Sequence, residues 1–257
     1  MTRRVAWVLL VLVMSLNSLW AKDSLNEKPN LLVYCGITMV KPIREISKVI
    51  EKKYNCVIKI VQGGSQDLYD SLKYSKKGDL YLPGSLSYRN ENLKDGLLLD
   101  KAYIGDNKAA IFVQKGNPKG IKNLDSLVDK NIATILCNPG SGSIGREEKE
   151  VIIKFKNRDF FDKAFYMATE IGTDSRNLNK TLIEKSVDMT INWKASGLWS
   201  ENSPYIDIID IDEKYAQKKK LVLNLLSFSK HPDIAKAFMK FAISKEGKKI
   251  MKNYGFR

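Results

Sequence analysis

The sequence predicts an α/β fold in which mixed, mainly parallel sheets are covered by helices. The segment "LLVYC" is typical of a buried strand, and the amphipathic helix after it places Ile43, Ile46 and Ile50 on one face. "CVIKIV" and "GDLYLPGS" are predicted as further strands, each followed by a glycine or serine and a new helix. Parallel strands need such crossover helices, so the repeated unit predicts sheets with helices on their faces.

The first residues have the order of a secretory signal. Arg3 and Arg4 precede an apolar run at residues 5–16, and small and polar residues follow it. The run is shorter than the roughly 20 residues that span a bilayer as a helix. We expect cleavage after Ala21 and export of the mature chain. An uncleaved N-terminal anchor is the alternative.

Later segments continue the alternation. "KAAIFVQ" and "NIATILC" are predicted strands, and a glycine-serine loop and a helix follow the second of them. "AFYMAT", "MTINW" and "YIDIIDI" are also predicted as strands. Pro232 lies in the first turn of a predicted C-terminal helix that carries Ile234, Phe238 and Phe241 at helical spacing. A second short helix is predicted to begin after Ser244.

Several predicted strands end in glycine and hydroxyl residues directly before a helix. In open parallel sheets, ligands bind beyond the carboxyl ends of the strands. A helix N-terminus there offers unpaired N–H groups that suit an anion. An ordinary N-cap is the alternative at each single position, and recurrence at the same topological place favours a binding site. The candidate donors are Thr38, Ser65, Gly84, Ser85, Ser141, Ser143 and the turn at 173–175.

The net charge of +14 favours an anionic partner, because a basic surface raises the local concentration of anions. Loss of Arg3 and Arg4 with the signal leaves +12. The lysines are spread along segments predicted as helices, such as "KVIEKK", "KYSKK" and "KKKL", and are not clustered with aromatic residues. This distribution argues against nucleic-acid binding. For most of these lysines, a solvated surface without a partner is the alternative.

Three cysteines, Cys35, Cys56 and Cys137, are an odd number for an exported protein, so at least one stays free or pairs with another molecule. Cys35 and Cys137 each precede a candidate binding loop. One hypothesis is that they approach each other across the site and hold a soft metal ion or respond to oxidation. The alternative is that both are small buried residues at strand ends.

Few residues are candidates for enzymatic chemistry. His231 is the only histidine, which argues against a histidine-based metal site. No base is placed for a serine or cysteine nucleophile, and the pair Glu147 and Glu148 is predicted in the exposed first turn of a helix. We therefore predict a binding protein without catalytic residues or a cofactor, with a hydrolase as the weaker alternative.

These motifs resemble those of the periplasmic molybdate- and tungstate-binding proteins of ABC importers, which are two-lobed type II solute-binding proteins. The likeness covers nearly all of the mature chain, and the ending "SKEGKKIMKNYGF" is its most specific motif. The resemblance implies an oxyanion held between two lobes. It assigns ligand contacts to the hydroxyls of Thr38 and Ser65, the amides of Gly84 and Ser175, and Trp193 at the place of a tyrosine in that family.

Some features depart from that family. Threonine at position 38 keeps the hydroxyl donor of the family's serine, and Trp193 offers an indole N–H in place of a phenol O–H. The loop "NPGSGSIGRE" is reminiscent of sulfate- and phosphate-binding relatives, which makes Ser141, Ser143 and Arg146 further candidate contacts. A solvent-facing arginine is the alternative for Arg146. The sequence thus predicts an oxyanion and leaves molybdate, tungstate, sulfate, phosphate and a small organic anion open.

The resemblance also implies an organisation and partners. Lobe I is predicted over residues 30–108 and 205–257, and lobe II over residues 109–204, with hinge closure burying the ligand. We expect a periplasmic monomer that delivers its anion to an ABC permease at the inner membrane and does not bind nucleic acid. A periplasmic sensor or an adhesin subunit with the same fold is the alternative.

Overall fold

The computed structural model of the protein describes residues 28–256, so the predicted signal and its cleavage site lie outside the described residues. Among the described residues, no helix combines the length and apolar character needed to cross a membrane. The strands are β1 (Asn30–Gly36), β2 (Val57–Gly63), β3 (Leu80–Leu82), β4 (Leu98–Asn107), β5 (Ala109–Gln114), β6 (Thr134–Cys137), β7 (Glu170–Gly172), β8 (Met189–Trp193), β9 (Ile206–Asp210) and β10 (Lys219–Leu226). The α-helices are α1 (Val40–Tyr54), α2 (Ser65–Ser75), α3 (Leu86–Asn92), α4 (Ser143–Phe155), α5 (Arg158–Met167), α6 (Ser175–Ile183), α7 (Lys194–Gly197), α8 (Pro232–Ala242) and α9 (Lys245–Asn253), and short 3₁₀ turns lie at Ile37–Met39, Leu93–Asp95 and Leu124–Val128.

The described strands form two five-stranded sheets, in the orders β2-β1-β3-β10-β4 and β7-β6-β8-β5-β9. In the first sheet, β1 pairs parallel with β2 and β3, while β10 is antiparallel to both of its neighbours. In the second, β6 pairs parallel with β7 and β8, and β5 is the reversed strand. Each sheet therefore has four strands in one direction and one opposed, which confirms the predicted mixed, mainly parallel α/β class.

The two sheets define two lobes. We call the first sheet with its helices lobe I and the second sheet with its helices lobe II. The chain enters lobe II between Asn107, the end of β4, and Ala109, the start of β5. The predicted return near Tyr205 precedes β9, but β9 pairs with β5 in the second sheet. The return to lobe I therefore lies later, between β9 and β10 at residues 211–218.

Each lobe has its own apolar core, and these cores fix the positions of the strand ends. In lobe I the apolar face of α1, including Ile43 and Ile46, packs with Val33 of β1 and Phe238 of α8. The C-terminal helices begin as predicted, with Pro232 in the first turn of α8 and the Ser244 hydroxyl accepting from the Gly247 amide at the start of α9.

Two predicted elements are wrong. "AFYMAT" belongs largely to helix α5, because the Asn157 side chain caps that helix by accepting from the Phe160 amide and Phe160, Phe161 and Ala164 form its buried face. "KKKL", predicted on a helix, leads into strand β10, whose residues from Leu221 onward are buried between β3 and β4.

Candidate functional site

The carboxyl ends of strands from both lobes meet around one small cavity. Its volume is about 10 Å³, roughly the space of one water-sized sphere. Its lining contains no lysine, arginine or histidine among the described residues. The lining residues are Gly36, Ile37, Thr38, Gly63, Gly64, Ser65 and Gly84 of lobe I and Gly142, Ser143, Ile144, Asp174, Ser175 and Trp193 of lobe II.

Three helical segments begin at this cavity without a capping side chain. Gly36, Gly64 and Gly142 occupy the N-cap positions of the turn before α1, of α2 and of α4, and none has a side-chain cap hydrogen bond. The first amides of these segments have no intrahelical acceptor, so they are available to an anion. At these three N-cap positions, glycine stands where Ser, Thr, Asp or Asn is usual. This glycine is the sequence signal for a helix start without a side-chain cap, and a search for hydroxyl residues alone does not find it. Helices outside the lining have ordinary caps from Ser85, Asn157 and Ser244.

Two serine hydroxyls in the cavity are oriented by fixed donors. The Ser65 Oγ accepts from the Gly84 amide at 3.0 Å, and the Ser143 Oγ accepts from the Trp193 indole Nε1–H at 3.2 Å. Because each oxygen already accepts one hydrogen bond, its own O–H remains to donate to a ligand. Gly84 and Trp193, predicted as direct ligand contacts, thus donate to the serines that line the same cavity.

The other two hydroxyl residues of the cavity, Thr38 and Ser175, are almost fully buried. The Ser175 carbonyl accepts from the Asn192 side chain at 2.9 Å, which fixes the first residue of α6. The Asp174 carboxylate accepts from the Arg176 and Asn177 amides, so this acidic group is used as the cap of α6. The cavity therefore presents two hydroxyl residues from each lobe, Thr38 and Ser65 from lobe I and Ser143 and Ser175 from lobe II.

Glycines allow the two lobes to touch beside the cavity. A Cβ added to Gly64 would lie 2.3 Å from the carbonyl oxygen of Ser141, and one added to Gly84 would lie 2.1 Å from the Ser143 Oγ. Ser141, predicted as a hydroxyl donor, instead presents its backbone carbonyl to Gly64 and is absent from the cavity lining. The structure thus has the cleft closed at this edge.

Arg146 joins the two lobes and does not line the cavity, contrary to its prediction as a ligand contact. From α4 of lobe II it donates to the Glu91 carboxylate at 2.8 Å and to the Gln66 side-chain oxygen at 2.9 Å. Its guanidinium carbon lies 4.2 Å from the centre of the Tyr88 ring. All three partners belong to lobe I, so this arginine stabilises the closed arrangement.

The three cysteines are free and buried. Cys35 packs in the core of lobe I and Cys137 in a core of lobe II, and neither lines the cavity. Burial raises the pKa of both thiols above the ordinary value. Within the described chain, no group of three or more His, Cys, Asp or Glu residues is arranged to hold a metal ion. The structure therefore favours the packing alternative over a shared metal site.

Glu147 and Glu148 are buried, so the prediction that they lie on an exposed helical turn is wrong. The reason is that α4 begins at the interlobe cavity and its first turns are enclosed. Glu147 forms an ion pair with Lys219 at 2.9 Å. The Glu148 Oε2 accepts from the Cys137 amide at 2.6 Å, and its Oε1 has no partner in the described chain. Burial raises the pKa of the Glu148 carboxyl well above its ordinary value.

This raised pKa predicts a pH-dependent stability. The stability contributed by the neutral carboxyl is full below the unfolded-state pKa, about 4.3, and is lost as the pH rises through the folded-state pKa. Glutamine keeps an acceptor for the Cys137 amide and does not titrate. Glu148→Gln should therefore gain stability relative to the wild type as pH rises, by at most about 1.4 kcal/mol per pH unit. Denaturant unfolding between about pH 4 and about pH 8 measures this, and a pH-independent difference would contradict it.

Comparisons with known proteins show relatives of similar sequence and structures of similar fold. A sulfate-binding protein of Escherichia coli is 26% identical over 226 residues, which is 78% of this chain and 68% of that protein. The structure of the sulfate-binding protein SubI of Mycobacterium tuberculosis has a TM-score of 0.78 at 17% identity and covers 89% of this chain and 86% of its own. The periplasmic molybdate-binding protein of Azotobacter vinelandii has a TM-score of 0.74 at 12% identity, covering 88% and 98%.

These likenesses confirm the predicted type II fold. The similar proteins are named for different anions, sulfate and molybdate, so the finer expectation of molybdate is not confirmed. The family model described as bacterial extracellular solute-binding protein matches residues 31–257. This match confirms a binding protein in place of an enzyme. Two lobes close over a cavity of neutral donors, and the family model matches nearly the whole described chain. The protein therefore belongs to the bacterial extracellular solute-binding protein family.

Proposed function

We propose that this protein captures a small tetrahedral oxyanion between its lobes in the periplasm and delivers it to an ABC permease. The observation that carries the proposal is the convergence of three glycine-capped helical N-termini and four hydroxyl residues on one cavity. Removing an anion from water is costly unless its oxygens regain hydrogen bonds. Fixed amides and hydroxyls from both lobes supply those bonds, and the positive ends of the helix dipoles favour the charge.

The chemistry of the donors favours a fully deprotonated head group. Sulfate and molybdate carry no proton at neutral pH, so each of their oxygens accepts hydrogen bonds. Inorganic phosphate keeps a proton near neutral pH and needs an acceptor. The carboxylate in the lining, that of Asp174, already accepts from two amides. Sulfate-binding and molybdate-binding proteins are among the similar structures, which supports the same class.

A panel of anions tests the proposal directly. Thermal shift with molybdate, tungstate, sulfate and phosphate, followed by calorimetry on each hit, should give one-to-one binding to at least one of them. The protein should become more compact in solution scattering when the anion is added, because closure buries the ligand. Absence of binding to the whole panel would contradict the proposal for inorganic anions.

Ser65→Ala should weaken binding of the best anion in that panel roughly tenfold, because a hydrogen bond to a charged ligand contributes about 1.5 kcal/mol. The substitution also removes the acceptor of the Gly84 amide. Ser71→Ala, the same chemical change at an exposed position of the same helix, is the matched control. Calorimetry compares both variants with the wild type, and equal affinities for the two would exclude a direct role for Ser65.

A further inference from the structure

A larger groove adjoins the oxyanion cavity on one side. It has a volume of about 540 Å³, within the range of roughly 300–1,000 Å³ typical of small-molecule sites. It lies between α1 of lobe I and α6 with the segment after α7 of lobe II. Ile37, Thr38 and Ser175 line both spaces, so the groove directly adjoins the cavity.

The two sides of the oxyanion cavity are built differently. On the side of α2 and α4, the approach of Gly64 to Ser141 and the contacts of Arg146 close the lobes together. On the side of α1 and α6, the lobes meet through the ion pair of Lys41 with Glu201, and the groove lies beside this contact. An inorganic anion held by the donors of the cavity would not extend into the groove, so the groove provides space for a substituent that leaves the head group in this one direction.

The groove carries an excess of positive charge. Its lining has four cationic side chains and two acidic ones, Glu184 and Glu201. Lys41 pairs with Glu201, Arg176 pairs with Asp174 of the adjoining cavity at 3.2 Å, and Lys180 lies 3.7 Å from Glu184. Arg44 forms no ion pair with any carboxylate of the described chain. The unpaired guanidinium of Arg44 favours a second negative group on the substituent. The cationic residues are Lys41, Arg44, Arg176 and Lys180.

We propose that the ligand is a small organic phosphate ester with a second anionic group. Its phosphate occupies the oxyanion cavity, and its organic part lies in the groove with the second anionic group near Arg44 and Lys180. This inference rests on the proposed function, because the head group uses the same cavity. A phosphate monoester has a second pKa near 6, so at neutral pH it is mostly a dianion without a proton and suits a shell of donors.

Two small phosphate esters test the groove. Calorimetry is performed on the mature protein with 2-phosphoglycolate and with ethyl phosphate, which has a methyl group in place of the carboxylate. We expect 2-phosphoglycolate to bind roughly tenfold more tightly, since its carboxylate gains charge-assisted contacts. In the double variant Arg44→Gln and Lys180→Gln, this preference should disappear while the affinity for ethyl phosphate stays unchanged. Lys48→Gln, an exposed lysine of α1 outside the groove, should keep the preference.

The outcomes separate this inference from the proposed function. Equal affinity for the two esters, or retention of the preference in the double variant, overturns the role of the groove. Tight sulfate or molybdate binding with no binding of either ester also overturns it, and leaves the oxyanion function standing. If none of these inorganic anions or esters binds, the proposed function and the groove both fail.

Discussion

Replacing Gly64 with alanine is expected to weaken oxyanion binding by about 150-fold while the protein still folds. The backbone of Gly64, with φ −63° and ψ 145°, lies in a region that alanine adopts without strain. The new Cβ would lie 2.3 Å from the Ser141 carbonyl oxygen, which belongs to the opposite lobe. Overpacking of this kind costs about 3 kcal/mol at the upper end of its usual range. The cost of the Ser141 contact falls on the closed state, because that contact disappears when the lobes separate. The other close atom, the Asp67 Oδ2 at 2.8 Å, belongs to a side chain of the same helix that can move aside.

The neighbouring glycine provides the matched control. A Cβ on Gly63 meets only the Leu68 side chain at 3.6 Å, which is an ordinary contact. Gly63 itself lines the cavity, so Gly63→Ala is a control for folding and not for affinity, and it should fold as the wild type does. Calorimetry gives the affinities, and thermal unfolding without ligand shows that both variants are folded. Wild-type affinity in folded Gly64→Ala would show that the approach of Gly64 to Ser141 is not needed for binding.

Arg146→Met should release the bound anion about 30-fold faster than the wild type. The substitution removes the ion pair with Glu91, the hydrogen bond to Gln66 and the stacking on Tyr88, all of them between lobes. The ion pair is half exposed and contributes little, so most of the expected loss of about 2 kcal/mol comes from the hydrogen bond and the cation–π contact. The loss affects the closed state alone, so it appears in the dissociation rate.

Stopped-flow displacement of the anion measures this rate, and small-angle scattering at saturating anion reports the fraction of open protein. Arg158→Met is the control, because Arg158 is an exposed arginine whose ion pair with Asp162 stays within helix α5. An unchanged dissociation rate in Arg146→Met, with the control also unchanged, would mean that the arginine contributes nothing to closure.

The alternation of strands and helices could be predicted from local patterns. The predicted strand "MTINW" coincides with β8, and the apolar face of α1 is buried as its spacing indicates. "AFYMAT" was open to misassignment because a short apolar run fits a strand or a helix equally well. The Asn157 cap and the packing of the helix against the core of lobe II stabilise the helical conformation of this segment.

Burial and partners on helix α4 could not be predicted in the same way. The sequence "GREEKE" has the polarity of an exposed helix start, yet Glu147 and Glu148 are buried. Arg146 bonds to Gln66, a residue 80 positions earlier in the chain. No local pattern contains that partner, because the contact exists only once the two lobes meet.

The sequence by itself determined the α/β class and the strand ends that carry glycine and hydroxyl residues. The reason is that the spacing of apolar residues and the residues that begin helices are local patterns, each only a few positions long. The tertiary structure alone decided how those groups are used. It sets Gly84 and Trp193 to orient Ser65 and Ser143, and it assigns Arg146 to the lobe contact. These roles depend on distances between separate strand ends, which the folding of both sheets and the closure of the lobes create.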